Sequence, residues 1–191
     1  MLSTALFPSS PMPSTKWVIN LDTLEAESGL DWARDFLSHY DTSQLEEIRL
    51  SQGRSGSGGV YGRCWYPSQR SVFYRIYCYV PGPFPYRIET RQPPIYRLMD
   101  GSWPPIPAGC LGGLYREARA KGKVREWRRV IGYTEVQSRG EGIVWIVAHE
   151  MFHFLRRTRQ VTGRNTEIEA DRFADDQLQS LRRHRERWSR W

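Results

Sequence analysis

The chain of 191 residues carries a net charge of +7, is 39% hydrophobic and contains eight Trp and ten Tyr. That length supports one domain with a single sizeable core, and the apolar and aromatic content excludes a disordered chain. No apolar run is long enough to cross a bilayer, which excludes a membrane-spanning helix.

Residues 1–16, rich in Ser and Pro and with no basic residue ahead of Ala5-Leu6-Phe7, read as a flexible tail rather than a secretory signal. Residues 17–191 are expected to form one domain. Leu30, Ala33, Phe36 and Leu37 recur at helical spacing and predict a helix over 28–40. Leu45 to Leu50 reads as a first strand, followed by a Gly-rich run over 53–59. Lacking the Lys-Ser/Thr of a phosphate loop, this run reads as a flexible connection. Val60–Tyr66 and Ser71–Val80, aromatic and β-branched around Pro67-Ser68-Gln69-Arg70, predict a hairpin. Eight prolines between Pro81 and Gly113 suggest an irregular excursion with one short strand at Ile95–Met99. A short helix is expected within Leu111–Lys121. Trp127–Ser138 alternates as a strand and runs through Arg139-Gly140-Glu141-Gly142 into a helix that is apolar nearly all round from Ile143 to Leu155. A last helix is expected from Glu167 to about Arg187, with Ile168, Phe173, Leu178 and Leu181 facing the core.

The apolar helix contains His149-Glu150-Met151-Phe152-His153. Positions i and i+4 share one helix face, so both imidazoles can address one ion, while Glu150 lies roughly 100° around the axis, beside that ion. A carboxylate there can take a proton from a water activated by zinc. Burying two histidines and a glutamate among apolar side chains is costly without partners, and a metal supplies the partner. A core His pair satisfied by protein groups alone is the plainer alternative.

Catalytic zinc has three protein ligands and an open position, so a third donor is needed. Six residues, Gln160 to Asn165, extend up to about 20 Å, enough to return the chain and bring Glu167-Ile168-Glu169-Ala170-Asp171 to the histidines. Thr166 and Glu169 fit the Ser/Thr-x-x-Glu capping box, in which Glu169 turns back to the Thr166 N–H. Glu167 is then left as the ligand, with Asp171 four residues on as an acceptor orienting a ligand His. With Asn165 as the cap, Glu169 becomes the rival ligand.

The string from His149 to His153, followed by Glu167-Ile168-Glu169-Ala170-Asp171-Arg172-Phe173-Ala174, resembles the gluzincins, zinc metallopeptidases whose third ligand is Glu. The second segment is similar to the Glu-x-x-x-Asp element of HtpX-like peptidases and to the Glu-x-Glu-Ala-x-x-Phe-Ala element of ImmA/IrrE-type proteins, and the short chain resembles the minigluzincin scaffold. The resemblance covers mainly residues 127–180. It implies a compact α+β zincin-like domain, with a small mixed or antiparallel sheet packed on the active-site helix between N- and C-terminal helices. It also implies Zn2+ on His149, His153 and Glu167, the last in agreement with the capping reading. In zincins the strand preceding the active-site helix often pairs with extended substrate, which points to Trp127–Ser138.

The expected activity is peptide-bond hydrolysis with Glu150 as general base and a peptide or protein as substrate. Tyr133, Arg172 and His184 are candidates by type for oxyanion stabilisation. Two other classes remain: a regulatory or maturation factor binding a specific protein or nucleic-acid partner, and a zinc-binding protein without activity. Only Lys16, Lys121 and Lys123 are lysines among 28 basic residues, and Arg clusters lie at 116–129 and 182–190. Such clusters can meet phosphate, but no nucleic-acid module accompanies them, and a solvated face is the plainer reading. Cys64, Cys78 and Cys110 are odd in number, lack Cys-x-x-Cys spacing and read as free thiols of a reducing, cytoplasmic compartment.

Overall fold

The computed structural model describes residues 15–22, 26–53, 61–69, 71–120 and 123–188. The N-terminal residues 1–14, most of the Gly-rich run and the end of the C-terminal Arg cluster lie outside these. In chain order the elements are β1 (Lys16–Asn20), α1 (Glu27–Ser38), β2 (Leu45–Gln52), β3 (Gly62–Trp65), β4 (Tyr74–Val80), β5 (Tyr86–Tyr96), β6 (Leu111–Ala120), β7 (Lys123–Val136), α2 (Arg139–Arg157) and α3 (Glu167–Trp188). The strands form two sheets, one ordered β1-β2-β4-β3 and the other β5-β7-β6. In the first, β1, β2 and β4 run parallel and β3 closes the edge antiparallel to β4. The second is antiparallel throughout.

The class is α+β, as the sequence led us to expect. Helix α2 is the core element: thirteen consecutive residues from Ile143 to Leu155 are buried apart from the half-buried His149. It packs on β4 and β3 on one side and on α1 and α3 on others. Alternation explains the sheet contact, because Tyr74, Ile76, Cys78 and Val80 are buried while Arg75, Tyr77 and Tyr79 between them are not. Leu30, Ala33, Phe36 and Leu37 of α1 complete that core as their spacing predicted. Ser138 caps α2 by accepting from the Glu141 N–H, and the Glu141 carboxylate accepts from the Gln137 N–H.

Four expectations need correction. Lys16 opens a strand instead of closing a tail, because Trp17, Val18 and Ile19 find a parallel partner in β2. The Pro-rich stretch holds the 11-residue β5 rather than a short strand at 95–99. Pro93 and Pro94 are accommodated there because they fall between Gln92 and Ile95, where the register with β7 shifts. The segment 111–121 forms strand β6, since Gly112-Gly113 weakens helix formation and β7 offers a full antiparallel partner. Strand β7 is consequently interior: from Trp127 to Ile131 both edges are paired. Among the described residues, β3 and β5 are edge strands on the helix side, β3 against α2 and β5 against α3.

Helices α1 and α2 cross at two glycines. A Cβ on Gly29 would stand 2.5 Å from the Gly140 carbonyl oxygen and 2.7 Å from its Cα, backbone atoms that cannot move aside. Gly29→Ala is therefore expected to destabilise the fold by about 1–3 kcal/mol through overpacking. Denaturant unfolding with an unchanged midpoint would show that this crossing is not tight.

Candidate metal centre

Trp145, His149 and His153 lie on one face of α2 at steps of four, opposite Glu167, Asp171 and Asp175 at steps of four on α3. The facing carboxylates meet the rings in turn. Asp171 Oδ1 stands 2.9 Å from His149 Nδ1, and Asn165 Oδ1 lies 2.8 Å from His153 Nδ1. An acceptor near each Nδ1 favours a ring proton there and turns both Nε2 atoms inward. Both Nε2 atoms face one carboxylate: His149 Nε2 is 3.6 Å from Glu167 Oε2 and His153 Nε2 is 3.6 Å from Glu167 Oε1.

These distances fit an ion at the centre better than direct bonds. An N–H···O bond falls at about 2.7–3.2 Å, whereas ligands about 2.0–2.1 Å from zinc in a tetrahedron stand about 3.3–3.4 Å apart. One ligand atom from each of His149, His153 and Glu167 lies within 4.8 Å of the others. Two neutral imidazoles and one carboxylate form a donor set that suits zinc.

The electrostatics agree. Burial alone would lower the His149 imidazole, but the Asp171 and Glu167 carboxylates outweigh it and raise it to about 10. Glu167, beside His149, is held down at about 2. His153 is lowered, first by burial. Without a metal, His149 is therefore a protonated partner of Glu167, and a metal cation bound between them would take the place of that proton.

Glu150 leaves the opposite flank of α2 toward β3. Burial pushes its carboxyl up to about 7, opposed by His149 and by the Cys64 backbone N–H. Gly62 makes this approach feasible, because a Cβ there would meet Glu150 Oε1 at 2.4 Å. A cleft of about 260 Å³ opens between β3 and the second sheet, lined by Tyr61, Gly62, Glu89, Arg91, Arg129, His149, Glu150 and Glu167 among others.

The structure therefore brings together His149, Glu150, His153, Glu167 and Asp171. Glu169 is elsewhere: its N–H donates to Thr166 Oγ1, but its carboxylate pairs with Arg172 instead of turning back to the Thr166 N–H, which donates to the Arg164 carbonyl. Tyr133, Arg172 and His184 are not among the residues lining the cleft.

Several contributors escaped the sequence reading. Asn165 orients His153, and nothing in its spacing marks it. Trp145 stacks on His149 with ring centroids 5.3 Å apart, held by its indole N–H to Asp175 Oδ1 at 2.7 Å. Thr134 also donates to Asp175, at 2.6 Å. Asp175 was legible as the next i+4 step after Glu167 and Asp171. No family model matches the chain, and neither the curated proteins nor the solved structures contain a match to it.

Asn165→Ala removes an orienting acceptor but no ligand. Zinc affinity is expected to fall about 10–100-fold. Titration against a competing chelator reads this directly, and an unchanged affinity would show that His153 needs no such support.

Proposed function

We propose that the chain is a zinc-dependent metallopeptidase on a zincin-like scaffold, with His149, His153 and Glu167 as metal ligands and Glu150 as general base. One observation carries the reading: two histidine Nε2 atoms on one helix face each stand 3.6 Å from the Glu167 carboxylate, with a second, buried carboxylate, Glu150, beside them.

Zinc held there would supply a Lewis acid that polarises the scissile carbonyl and acidifies a water. Glu150 has the other half of the task. Its carboxylate, raised toward neutrality by burial, takes a proton from the attacking water and passes it to the leaving amine. Asp171 keeps the His149 proton on Nδ1, and Asn165 does the same for His153.

The edge of β3 beside Glu150 is the place for an extended substrate, in place of β7 over Trp127–Ile131, where both edges are occupied. The β3 register turns the Arg63 backbone toward β4 and the Gly62 and Cys64 backbone away from it, toward the cleft and Glu150. Pairing through the main chain would accept many peptide sequences and align the scissile bond with Glu150. Cys64, Cys78 and Cys110 are all unpaired, which supports a reducing, cytoplasmic setting. No helix among the described residues is long and apolar enough to cross a membrane.

Zinc should copurify or bind on titration. Glu150→Gln is expected to keep zinc and lose peptidase activity by about 10²–10⁴-fold. Full activity in that variant would remove Glu150 from the chemistry, and a folded protein that takes up no zinc would end the hydrolase reading. Glu167→Ala is expected to lose zinc while Glu169→Ala keeps it; the opposite order would reassign the third ligand.

A further inference from the structure

The wall of the cleft facing the metal ligands is the outer face of the second sheet. Arg91 of β5 pairs in register with Ile131 of β7, and Arg129 lies two residues along β7 from Ile131. Residues two apart on a strand share a face, so both guanidinium groups leave the same side of the sheet, and both line the cleft. Their commitments are few. Arg91 approaches Glu167 at 4.0 Å and remains 55% exposed at its side chain. Arg129 is exposed and forms no ion pair or hydrogen bond through its side chain with any described residue.

The acids of the cleft do not cancel this charge. Glu167 and Asp171 are directed at His149 and His153, and Glu150 is buried against β3. Glu89 is on the same sheet face, but it pairs in register with Tyr133, four residues along β7 from Arg129. That places its Cα roughly 13 Å from that of Arg129 along the sheet, and its same-face neighbour on β5 is Arg91. The Arg129 guanidinium, without a partner among the described residues, thus faces the space that a bound peptide would fill, with Arg91 beside it. Guanidinium pairs best with carboxylate, through two parallel N–H···O bonds.

We propose that Arg129, with Arg91 beside it, forms a subsite for a substrate carboxylate, so that the enzyme selects peptides with an acidic side chain or a free C-terminus near the scissile bond. The inference rests on the peptidase reading and names the substrate class of that site. Arg129 acts on specificity only: it touches the substrate away from the reacting atoms and moves no proton.

The test uses the full chain carrying Glu150→Gln, loaded with zinc, and three N-terminally dye-labelled nonapeptides read by fluorescence anisotropy. One has a central Glu and an amidated C-terminus, one a central Gln and an amidated C-terminus, and one a central Gln and a free C-terminus. One of the carboxylate peptides is expected to bind about five- to tenfold more tightly than the neutral one, and which of them does so identifies the source of the carboxylate. Arg129→Ala should abolish the difference, Arg129→Lys should keep part of it, and Arg129→Glu should reverse it. With wild-type enzyme the same preference should appear in KM and leave kcat nearly unchanged.

Equal binding of all three peptides, binding of none, or a preference that survives Arg129→Ala overturns the subsite. The peptidase reading fails by different signs, namely no zinc uptake or full activity in Glu150→Gln. A zinc-loaded, active enzyme indifferent to peptide charge would therefore remove the subsite alone.

Discussion

Everything at the candidate centre depends on a polar seam between two helices that run in opposite directions. On α2, Glu141, Trp145, His149 and His153 recur every four residues; on α3 their partners are Arg182, Asp175, Asp171 and Glu167. Spacings of four on α2, and of four, four and seven on α3, keep each row on one face, so successive rungs fall opposite each other. Any of these groups left buried without a partner would cost about 1–3 kcal/mol, more for a charge. The seam is thus an all-or-nothing device: it sets the register of α3 against α2, and that register delivers Glu167 to the two histidines.

The rungs differ in character along the seam. At the N-terminal end of α2, Arg182 pairs with buried Glu141 and also donates to the Glu135 carbonyl, which ties α3 to the end of β7. In the middle, Asp175 accepts hydrogen bonds from the Trp145 indole N–H and the Thr134 hydroxyl and fastens the indole that stacks on His149. At the far end two imidazoles share one carboxylate, the arrangement that on the proposed reading would take a cation.

How much of this was legible depended on the range of the interactions. His149, His153, Glu150, Glu167 and Asp171 could be read from the chain because they lie on two helices whose internal spacing is fixed at 3.6 residues per turn. Helix α2 stood out for a related reason, since burial on every side needs an unbroken apolar run. Asn165 could not be read, because it acts from a loop whose path is set by where α3 docks. The strands were read less well where pairing was distant. Strand β6 looked helical until β7 was available as partner, and β5 looked irregular because its prolines hide at a register shift. That error also hid the edge strands: with β5 and β6 unrecognised, β7 seemed open, whereas it lies between them over Trp127–Ile131, and β3 and β5 each have one neighbour among the described residues.

The two flanks of α2 divide the chemistry between them. On the proposed reading the α3 flank would hold the metal and the β3 flank the base, which would keep Glu150 off the metal although it adjoins His149 in sequence. Gly62 permits the close approach of β3, and the Cys64 N–H then meets the Glu150 carboxylate. Asp171 links this arrangement to the second sheet. One of its oxygens faces His149 Nδ1 and the other accepts from the Arg91 backbone N–H. A single carboxylate therefore sets both the direction in which His149 offers its lone pair and the position of the strand that carries Arg91. Ligand geometry and cleft wall are mechanically one unit, so a change at Asp171 reaches metal affinity and substrate selection together, whereas a change at Arg129, outside that linkage, can reach selection alone.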